Sequence, residues 1–446
     1  MKKQRAAFHT LGCKTNHYET DAVKMQFAAA GFELVPFTEP ADIYLVNTCT
    51  VTAEADRKSR QMLRRARQSN AQALVVAMGC QATIGDAAAW ADLVIDNDCK
   101  RLAVQRVLAY LADREPAAAP DQPLHVDHIQ ADAIHPDLKK IDFDEFGPVS
   151  RQSETRAYIK IEDGCNQFCS YCVIPLARGR VRSRSQSLII REAEALAAAG
   201  YKEIVLTGIH ICSYGADRDL PGHAVMELAL ELAGITGIER IRLGSLEPRF
   251  VTDTFIRLAA ENPCLCPHFH LSLQSGSDRI LNRMNRQYVT DDFRQVVAAL
   301  RSSFPDPGIT TDLIVGFPGE TETDFAESLS FCAEMAFSRM HVFRFSPRDR
   351  TAAARMSDVV PTDEIARRSQ RMISLATDLS ACYHGRQVGK THAVLVEKMR
   401  DDGLFEGYTP AYVPMRFQAH TDLAPGAIVQ VAGTRAEADF LLGTQT

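Results

Sequence analysis

No stretch of this chain is apolar for long enough to read as a membrane span. The basic start Met1-Lys2-Lys3-Gln4-Arg5 leads into an apolar run too short, and too soon broken by His9 and Thr10, for a secretory signal. A cytoplasmic protein without membrane attachment is expected. An excess of one charge is also missing. The net charge of −6 equals the imbalance of residues 113–155 alone, where ten acids meet four bases, so the rest of the chain is neutral. Net charge therefore decides nothing about nucleic acid, and local basic faces have to be sought one by one. Finally, no fourth cysteine and no histidine follows Cys172 closely. A closed structural zinc site is disfavoured by that absence.

What is present around that gap is the stretch Gly164-Cys165-Asn166-Gln167-Phe168-Cys169-Ser170-Tyr171-Cys172. Its C-x3-C-x2-C spacing can hold three corners of a [4Fe–4S] cluster, which normally takes four cysteines. One iron would stay open to bind something else, as a catalytic metal site does. A zinc knot and a disulfide cluster are the bland alternatives. Twelve cysteines in a chain expected in the cytosol point to metal or catalytic thiols before disulfides.

At 446 residues, 46% hydrophobic and 24% charged, the chain has an ordinary globular composition with room for about three domains. Residues 1–112 alternate short apolar strands with helices, which predicts a parallel sheet covered on both faces. Strands are expected at 5–10, 43–46, 73–78 and 93–95. Cys13 follows the first, Cys49 the second and Cys80 the third. In an open α/β sheet ligands bind beyond the carboxyl ends of the strands, so three thiols are expected at one edge. Gly12 and Gly79 would let the backbone turn close to whatever they hold. Each could instead be a core cysteine. The helix expected between the second and third strands places Arg57, Arg60, Arg64 and Arg67 on one stripe, flanked by Lys58 and Arg65. It is either a phosphate-binding face or an ordinary solvated one.

Residues 113–154 read as an acidic linker, partly ordered near Ile141-Asp142-Phe143. Over 155–383, six strand signals each precede a helix, which predicts a partial (β/α)6 barrel. Chemistry in such barrels sits at the carboxyl ends of the strands. There the chain places the Cys165 loop, Thr207-Gly208, Ser245 with Glu247, Gln274-Ser275 and Asp312, small and polar groups suited to a nucleoside-and-amino-acid ligand. Arg178, Arg180, Arg182 and Arg184 alternate, and an extended backbone would present all of them to one anion. Cys332 and Cys382 read as core thiols. Residues 384–446 predict a small β-barrel of the kind that often binds nucleic acid, with Tyr408, Tyr412 and Arg416 as a stacking surface or as core, and Phe417 as core.

The Cys165, Cys169, Cys172 spacing is the signature of the radical S-adenosylmethionine enzymes. With Cys13, Cys49, Cys80 and the small barrel, the chain resembles the methylthiotransferases over nearly its whole length. The resemblance implies two [4Fe–4S] clusters. One, on Cys165, Cys169 and Cys172, would bind and cleave S-adenosylmethionine to a radical that takes hydrogen from an unreactive carbon. The other, on Cys13, Cys49 and Cys80, would handle the inserted sulfur, and a second S-adenosylmethionine would supply the methyl group. Thr207, Gly208, Ser245, Glu247, Gln274, Ser275 and Asp312 are the expected cofactor-binding residues. The C-terminal barrel looks like a TRAM domain, so Arg57, Arg60, Arg64, Arg67, Arg180, Arg182 and Arg184 become expected RNA contacts.

Leu11-Gly12-Cys13-Lys14-Thr15-Asn16-His17-Tyr18-Glu19-Thr20, Asn47-Thr48-Cys49-Thr50-Val51-Thr52 and Leu206-Thr207-Gly208-Ile209-His210 are similar to the branch acting on threonylcarbamoyladenosine beside the anticodon. That implies methylthiolation at C2 of the position-37 base, with tRNA, an electron donor and a sulfur donor as partners and a monomeric enzyme. Branches acting on isopentenyladenosine in tRNA or on a ribosomal protein are the same-class alternatives. A non-catalytic iron–sulfur RNA-binding regulator is the alternative of another class. Three features depart from the pattern: Ile211-Cys212 replaces a smaller pair, Phe345-Ser346-Pro347-Arg348 lacks a glycine, and the C-terminal barrel is poor in bases.

Overall fold

The computed structural model describes residues 3–113 and 142–446. Most of the acidic linker expected over 113–154, including Ile141, lies outside them. The chain forms two compact units. One comprises Met1–Ser153, Lys160–Glu192 and Ser346–Ala354; the other comprises Glu154–Ile159, Ala193–Phe345 and Arg355–Thr446.

In the first unit, β1 (Arg5–Thr10), β2 (Glu33–Val35), β3 (Ile43–Thr48), β4 (Leu74–Gly79) and β5 (Leu93–Ile95) form a parallel sheet in the order β2-β1-β3-β4-β5. Every residue of β3 and β4 is buried. Strand side chains alternate, and here both faces are apolar. Ala6, Leu45 and Val76 join Val23 and Phe27 in one core. Their neighbours Ala7, Tyr44 and Val75 join Leu63 and Ala66 in another. The covering helices include α1 (Lys14–Ala29), α2 (Ala53–Ser69), α3 (Cys80–Ile84) and α4 (Ala103–Ala112). Sequence reading missed β2, a three-residue edge strand with two exposed side chains and no apolar alternation to announce it.

A second piece of this unit surrounds the C-x3-C-x2-C loop. The two-residue strand β7 (Glu162–Asp163) enters it, and α5 (Ile174–Arg178) and β8 (Arg182–Ser183) leave it. β7 and β8 pair antiparallel and close the loop at its base. Gly164 is needed there: at φ +80° its position admits no side chain, because a Cβ would come within 2.0 Å of the Arg180 carbonyl oxygen.

The strands of the second unit are β6 (Ala157–Lys160, which the first unit shares at its end), β9 (Glu203–Thr207), β10 (Arg240–Leu243), β11 (Ser245–Leu246), β12 (His268–Leu271), β13 (Gly308–Val315) and β14 (Arg339–Arg344). They form the ladders β10-β9-β6 and β11-β12-β13-β14. Only Gly244 separates β10 from β11, so the third of six strands passes from one ladder to the other. This is a partial (β/α)6 barrel. After the helix Thr362–Gly385, β15 (Thr391–Met399), β16 (Phe405–Tyr408), β17 (Pro414–Gln418), β18 (Ile428–Ala436) and β19 (Leu441–Gln445) close into a five-stranded barrel in the order β15-β16-β17-β19-β18.

Within this unit the small barrel is clasped by charge. Arg240 and Arg242 share Glu203 and donate to the carbonyls of Ala393 and Pro410 at 2.9 and 2.8 Å. Arg156 pairs with Glu397 at 2.8 Å and lies over the Tyr408 ring. Tyr412 stacks on Tyr408 and under Arg242. Both tyrosines are half-buried at this join and stand outside the barrel core, stacked on each other beneath the arginines. Phe417 is in the barrel core, as expected. Cys332 is fully buried, whereas Cys382 is exposed and is not the core thiol expected.

Gly79, at the turn after β4, adopts φ +104° and ψ −162°, a region open essentially to glycine alone. A Cβ there would lie 2.5 Å from Asn47 Oδ1 and 2.6 Å from the Thr48 carbonyl oxygen. Gly79→Ala should cost about 2–3 kcal/mol in urea unfolding. Gly31→Ala, where nothing lies within 4 Å, should cost less, about 1 kcal/mol.

Candidate metal centre

The first unit gathers all six sequence-predicted cluster cysteines. β1, β3 and β4 are neighbours running the same way, so Cys13, Cys49 and Cys80 leave the same sheet edge. Adjacent strands lie about 4.8 Å apart, which sets the spread of their ends at about 10 Å. A Cβ on Gly12 would sit 3.0 Å from Cys49 Sγ, so the first turn passes directly beside the second thiol. Side chains fasten these turns to one another. Asn16 Nδ2 donates to the carbonyls of Leu11 (2.7 Å) and Thr48 (3.1 Å), Asn47 Nδ2 to that of Asn16 (2.9 Å), and Thr48 Oγ1 to that of Met78 (2.7 Å). Ser59 on α2 holds the Cys49 backbone from both ends, accepting from its N–H and donating to its carbonyl.

The thiols of each set also act on one another electrostatically. Burial pushes the Cys49 thiol up to about 12, and Cys80 and Cys13 add to the rise. Burial likewise pushes Cys165 up to about 12, helped by Cys172 and Cys169. No disulfide joins cysteines among the described residues. Nor do any three His, Cys, Asp or Glu side chains among them meet closely enough to share a single metal ion.

A buried network that sequence reading missed runs alongside both sets. Arg178, at the end of α5, is 1% exposed. It meets Glu19 and Asp163 at 2.9 and 3.0 Å through one terminal nitrogen, and Asn16 Oδ1 at 2.6 Å through the other. Lys160 bridges Glu19 and Asp163 at 2.7 and 2.6 Å, Lys100 also pairs with Glu19, and Arg182 joins Asp163 to Asp98. Four cations thus face three carboxylates. Burial alone would push Glu19 up, but Arg178, Lys100 and Lys160 hold its carboxyl well below the usual range. Asp163 is held low in the same way by Arg178, Lys160 and Arg182. The available signal was Asn16 and Glu19 three residues apart on α1, polar side chains where a covering helix should be apolar.

This network corrects the expected arginine row. Arg178 is helical, and Arg182 and Arg184 are buried, Arg184 between Glu145 and Glu192 at 2.6 Å each. Only Arg180 is exposed, over the Phe168 ring. An anion could not reach Arg182 or Arg184 without breaking ion pairs. On α2 the four arginines of the expected stripe each have a local partner: Arg57 pairs with Glu54, Arg60 with Asp86 and Arg67 with Asp92, while Arg64 lies 3.9 Å over the Trp90 ring. The segment Ser346–Ala354 ties the cysteine loops together. Ser346 Oγ accepts from Ala53 N, Arg348 holds Thr50 and Asp56, and Ala353 N donates to the Ser170 carbonyl. Arg348, in the segment that lacks the family's glycine, thus has a structural task.

The rim loops belong to the second unit. Glu247 is the best-defined group there. Burial would raise its carboxyl, yet the hydrogen bond with His210 (3.4 Å) and the charge of Arg286 (2.8 Å) hold it below the usual range. Its backbone N–H donates to Cys212 Sγ at 3.3 Å. Asp312 meets His270 at 3.3 Å, and Gln274 turns in the left-handed region at φ +68°. Thr207 ends β9 and Gly208 follows it, and Ser245 is exposed. Ser275 is not the open ligand group expected: it is 1% exposed and its hydroxyl faces Ser328 at 3.3 Å. Sequence reading also passed over Arg286 and His270.

Comparison with known proteins agrees with this layout. Residues 159–332 match the Radical SAM superfamily and residues 5–104 match Uncharacterized protein family UPF0004. The chain is 37% identical over 434 residues to threonylcarbamoyladenosine tRNA methylthiotransferase MtaB of Bacillus subtilis, covering 95% of this chain and 92% of that protein. It is 38% identical to the Thermotoga maritima protein of the same name, over 92% and 90% of the two chains. The tRNA-2-methylthio-N(6)-dimethylallyladenosine synthase of Geobacter metallireducens is 36% identical over 97% and 96%. Among solved structures, the radical S-adenosylmethionine methyltransferase TsrM from Kitasatospora setae shares the fold, with a TM-score of 0.53 and 16% identity over 77% of this chain and 75% of that one.

Glu19→Gln would leave Lys100, Lys160 and Arg178 short of a counter-charge. The expected loss is about 3–5 kcal/mol, read as a lower denaturant midpoint at unchanged slope. Because the folded Glu19 carboxyl is held low, its contribution is present above the ordinary carboxylate value and disappears as pH falls through the lowered one. Stability of the native protein should therefore hold through the mildly acidic range.

Proposed function

The chain belongs to the radical S-adenosylmethionine methylthiotransferase family, and from that membership we propose that it acts on tRNA, replacing the hydrogen at C2 of N6-threonylcarbamoyladenosine at position 37 with a methylthio group. The observation that carries the reading is the meeting of two three-cysteine sets, one at three neighbouring strand ends and one in a closed loop, within a single compact unit. The names and the 37% and 38% identities of the first relatives support the threonylcarbamoyladenosine branch. The 36% identical Geobacter protein makes the dimethylallyladenosine branch the second reading.

The residues fit two [4Fe–4S] clusters. Cys165, Cys169 and Cys172 would hold one, and Cys13, Cys49 and Cys80 the other; the cations in excess beside Cys80 suit an anionic thiolate cluster. When bound, the clusters and S-adenosylmethionine supply hydrogen removal, sulfur and methyl. The protein's own share is placement and exclusion of water. Asn16, Asn47, Thr48 and Ser59 fix the backbone that carries the first thiols. The β7–β8 ladder, Gly164 and Ala353 fix the loop that carries the second. On the rim, Glu247, whose carboxyl is held below the usual range, and Asp312, Ser245, Thr207, Gly208 and Gln274 offer acceptors for the amine and hydroxyls of S-adenosylmethionine. The helix α2 offers the RNA backbone six basic residues against two acids. An electron donor and a sulfur donor complete the partners.

Nucleoside mass spectrometry of tRNA from cells with and without the gene tests the substrate. Loss of the methylthio form of threonylcarbamoyladenosine, with its precursor accumulating, is expected. Loss confined to the isopentenyl nucleoside would move the enzyme to the second reading. In purified protein, Cys165→Ala should abolish cleavage of S-adenosylmethionine, whereas Cys13→Ala should retain cleavage and lose sulfur insertion. A Cys13→Ala enzyme forming product at the normal rate would remove the second cluster. Neutralising Arg57, Arg60 and Arg64 together should weaken tRNA binding and reduce its salt slope by about 0.7–0.9 for each phosphate no longer neutralised.

A further inference from the structure

Arg178 stands at the crossing of the two cysteine sets. It lies six residues after Cys172, at the end of the helix that leaves the loop, yet its Nε is 3.4 Å from Sγ of Cys80. A guanidinium has five N–H donors in a rigid fork. All five are used here. Four go to oxygens: Glu19 Oε1, Asp163 Oδ1, Asn16 Oδ1 and Glu19 Oε2. The fifth, on Nε, goes to the sulfur. Because the other four bonds lock the plane of the group, the direction of Nε–H is set by Glu19, Asp163 and Asn16 rather than by the sulfur itself. The α5 end is itself anchored, since Asn97 Nδ2 donates to the Ala177 carbonyl at 2.7 Å. A lysine could replace the charge but not this fork.

We infer that Arg178 is a positioning residue for the cluster held by Cys13, Cys49 and Cys80, its Nε–H donating to the Cys80 sulfur so that the loop of one cysteine set tunes the reduction potential of the other. The inference rests on the two-cluster reading above. Hydrogen bonds to cluster sulfurs and local positive charge both favour the reduced, more negative state, and so raise the potential. The chain supplies both at once, through a residue whose place is fixed by the segment carrying Cys165, Cys169 and Cys172.

The test isolates the N-terminal cluster in the full-length protein by Cys165→Ala/Cys169→Ala/Cys172→Ala, reconstituted anaerobically with iron and sulfide. Iron content, electron paramagnetic resonance and a potentiometric titration are then read. In that background Arg178→Lys keeps the charge and loses the Nε–H. At a fixed ambient potential its ratio of reduced to oxidised cluster should fall about tenfold, which is 59 mV for one electron, with an altered resonance. Lys160→Arg changes the same network at the pairs with Glu19 and Asp163, away from the sulfur, and should leave the potential in place. It also covers the case in which Arg178→Lys loses stability, since a purely structural role would lower the unfolding midpoint in both variants and move the potential in neither. Cluster assembled at full iron with an unmoved potential in Arg178→Lys overturns the assignment and leaves the two-cluster reading intact. A background that takes up no cluster overturns both.

Discussion

Charges buried together beside the thiols set the terms for the rest of the first unit. Lys100, Lys160, Arg178 and Arg182 meet Glu19 and Asp163 where all six are 3% exposed or less. Each ion removed from water costs several kcal/mol, and only near-ideal partners offset that. The groups therefore have to be placed accurately by everything around them. Glu19 comes from α1, Lys100 from just before α4, Lys160 and Asp163 from the strands entering the cysteine loop, and Arg178 from the helix leaving it. A shift in any of these segments leaves a charge without its partner.

That demand explains features that would otherwise look incidental. α1 has to start directly at Cys13 so that Asn16 and Glu19 face the network while the same turn presents the thiol. Asp163 lies two residues before Cys165, with Gly164 between, and the backbone passes the Arg180 carbonyl so closely that no side chain fits there. The parallel sheet brings three thiols to one edge, and the network keeps the second cysteine loop aligned with that edge. Segment Ser346–Ala354 adds a third tie, reaching Thr50 and Asp56 near one set and Ser170 within the other.

Much of this was legible beforehand. The apolar runs at 43–46 and 73–78 announced a sheet covered on both faces, and a cysteine after each of three strands announced the edge. Six strand-then-helix repeats announced the partial barrel, although not the passage of its third strand across Gly244. The spacing of Arg180, Arg182 and Arg184 misled. Alternation predicts a shared face but not what that face meets, and here it meets Asp163, Asp98, Glu145 and Glu192 from elsewhere in the chain. Ser275 failed as a rim ligand for the same reason, its neighbour Ser328 lying 53 residues away. Local pattern reports which side chains point together. Long-range charge pairing is invisible to it.

Stability alone gives no reason to keep such a network. Buried ion pairs can often be exchanged for packed apolar residues of similar size at no loss, or with a gain. An apolar core at Glu19, Lys160, Asp163 and Arg178 would be the simpler way to join a loop to a sheet. What it could not do is direct a donor and a surplus positive charge at Cys80 while fixing the loop that carries Cys165. The bond to sulfur is the one branch of the Arg178 fork that reaches a cysteine, and the carboxylates and Asn16 around it account for its direction. The expense of burying these charges is therefore best explained by the chemistry at the thiols, with the join between the two cysteine segments following from the same geometry.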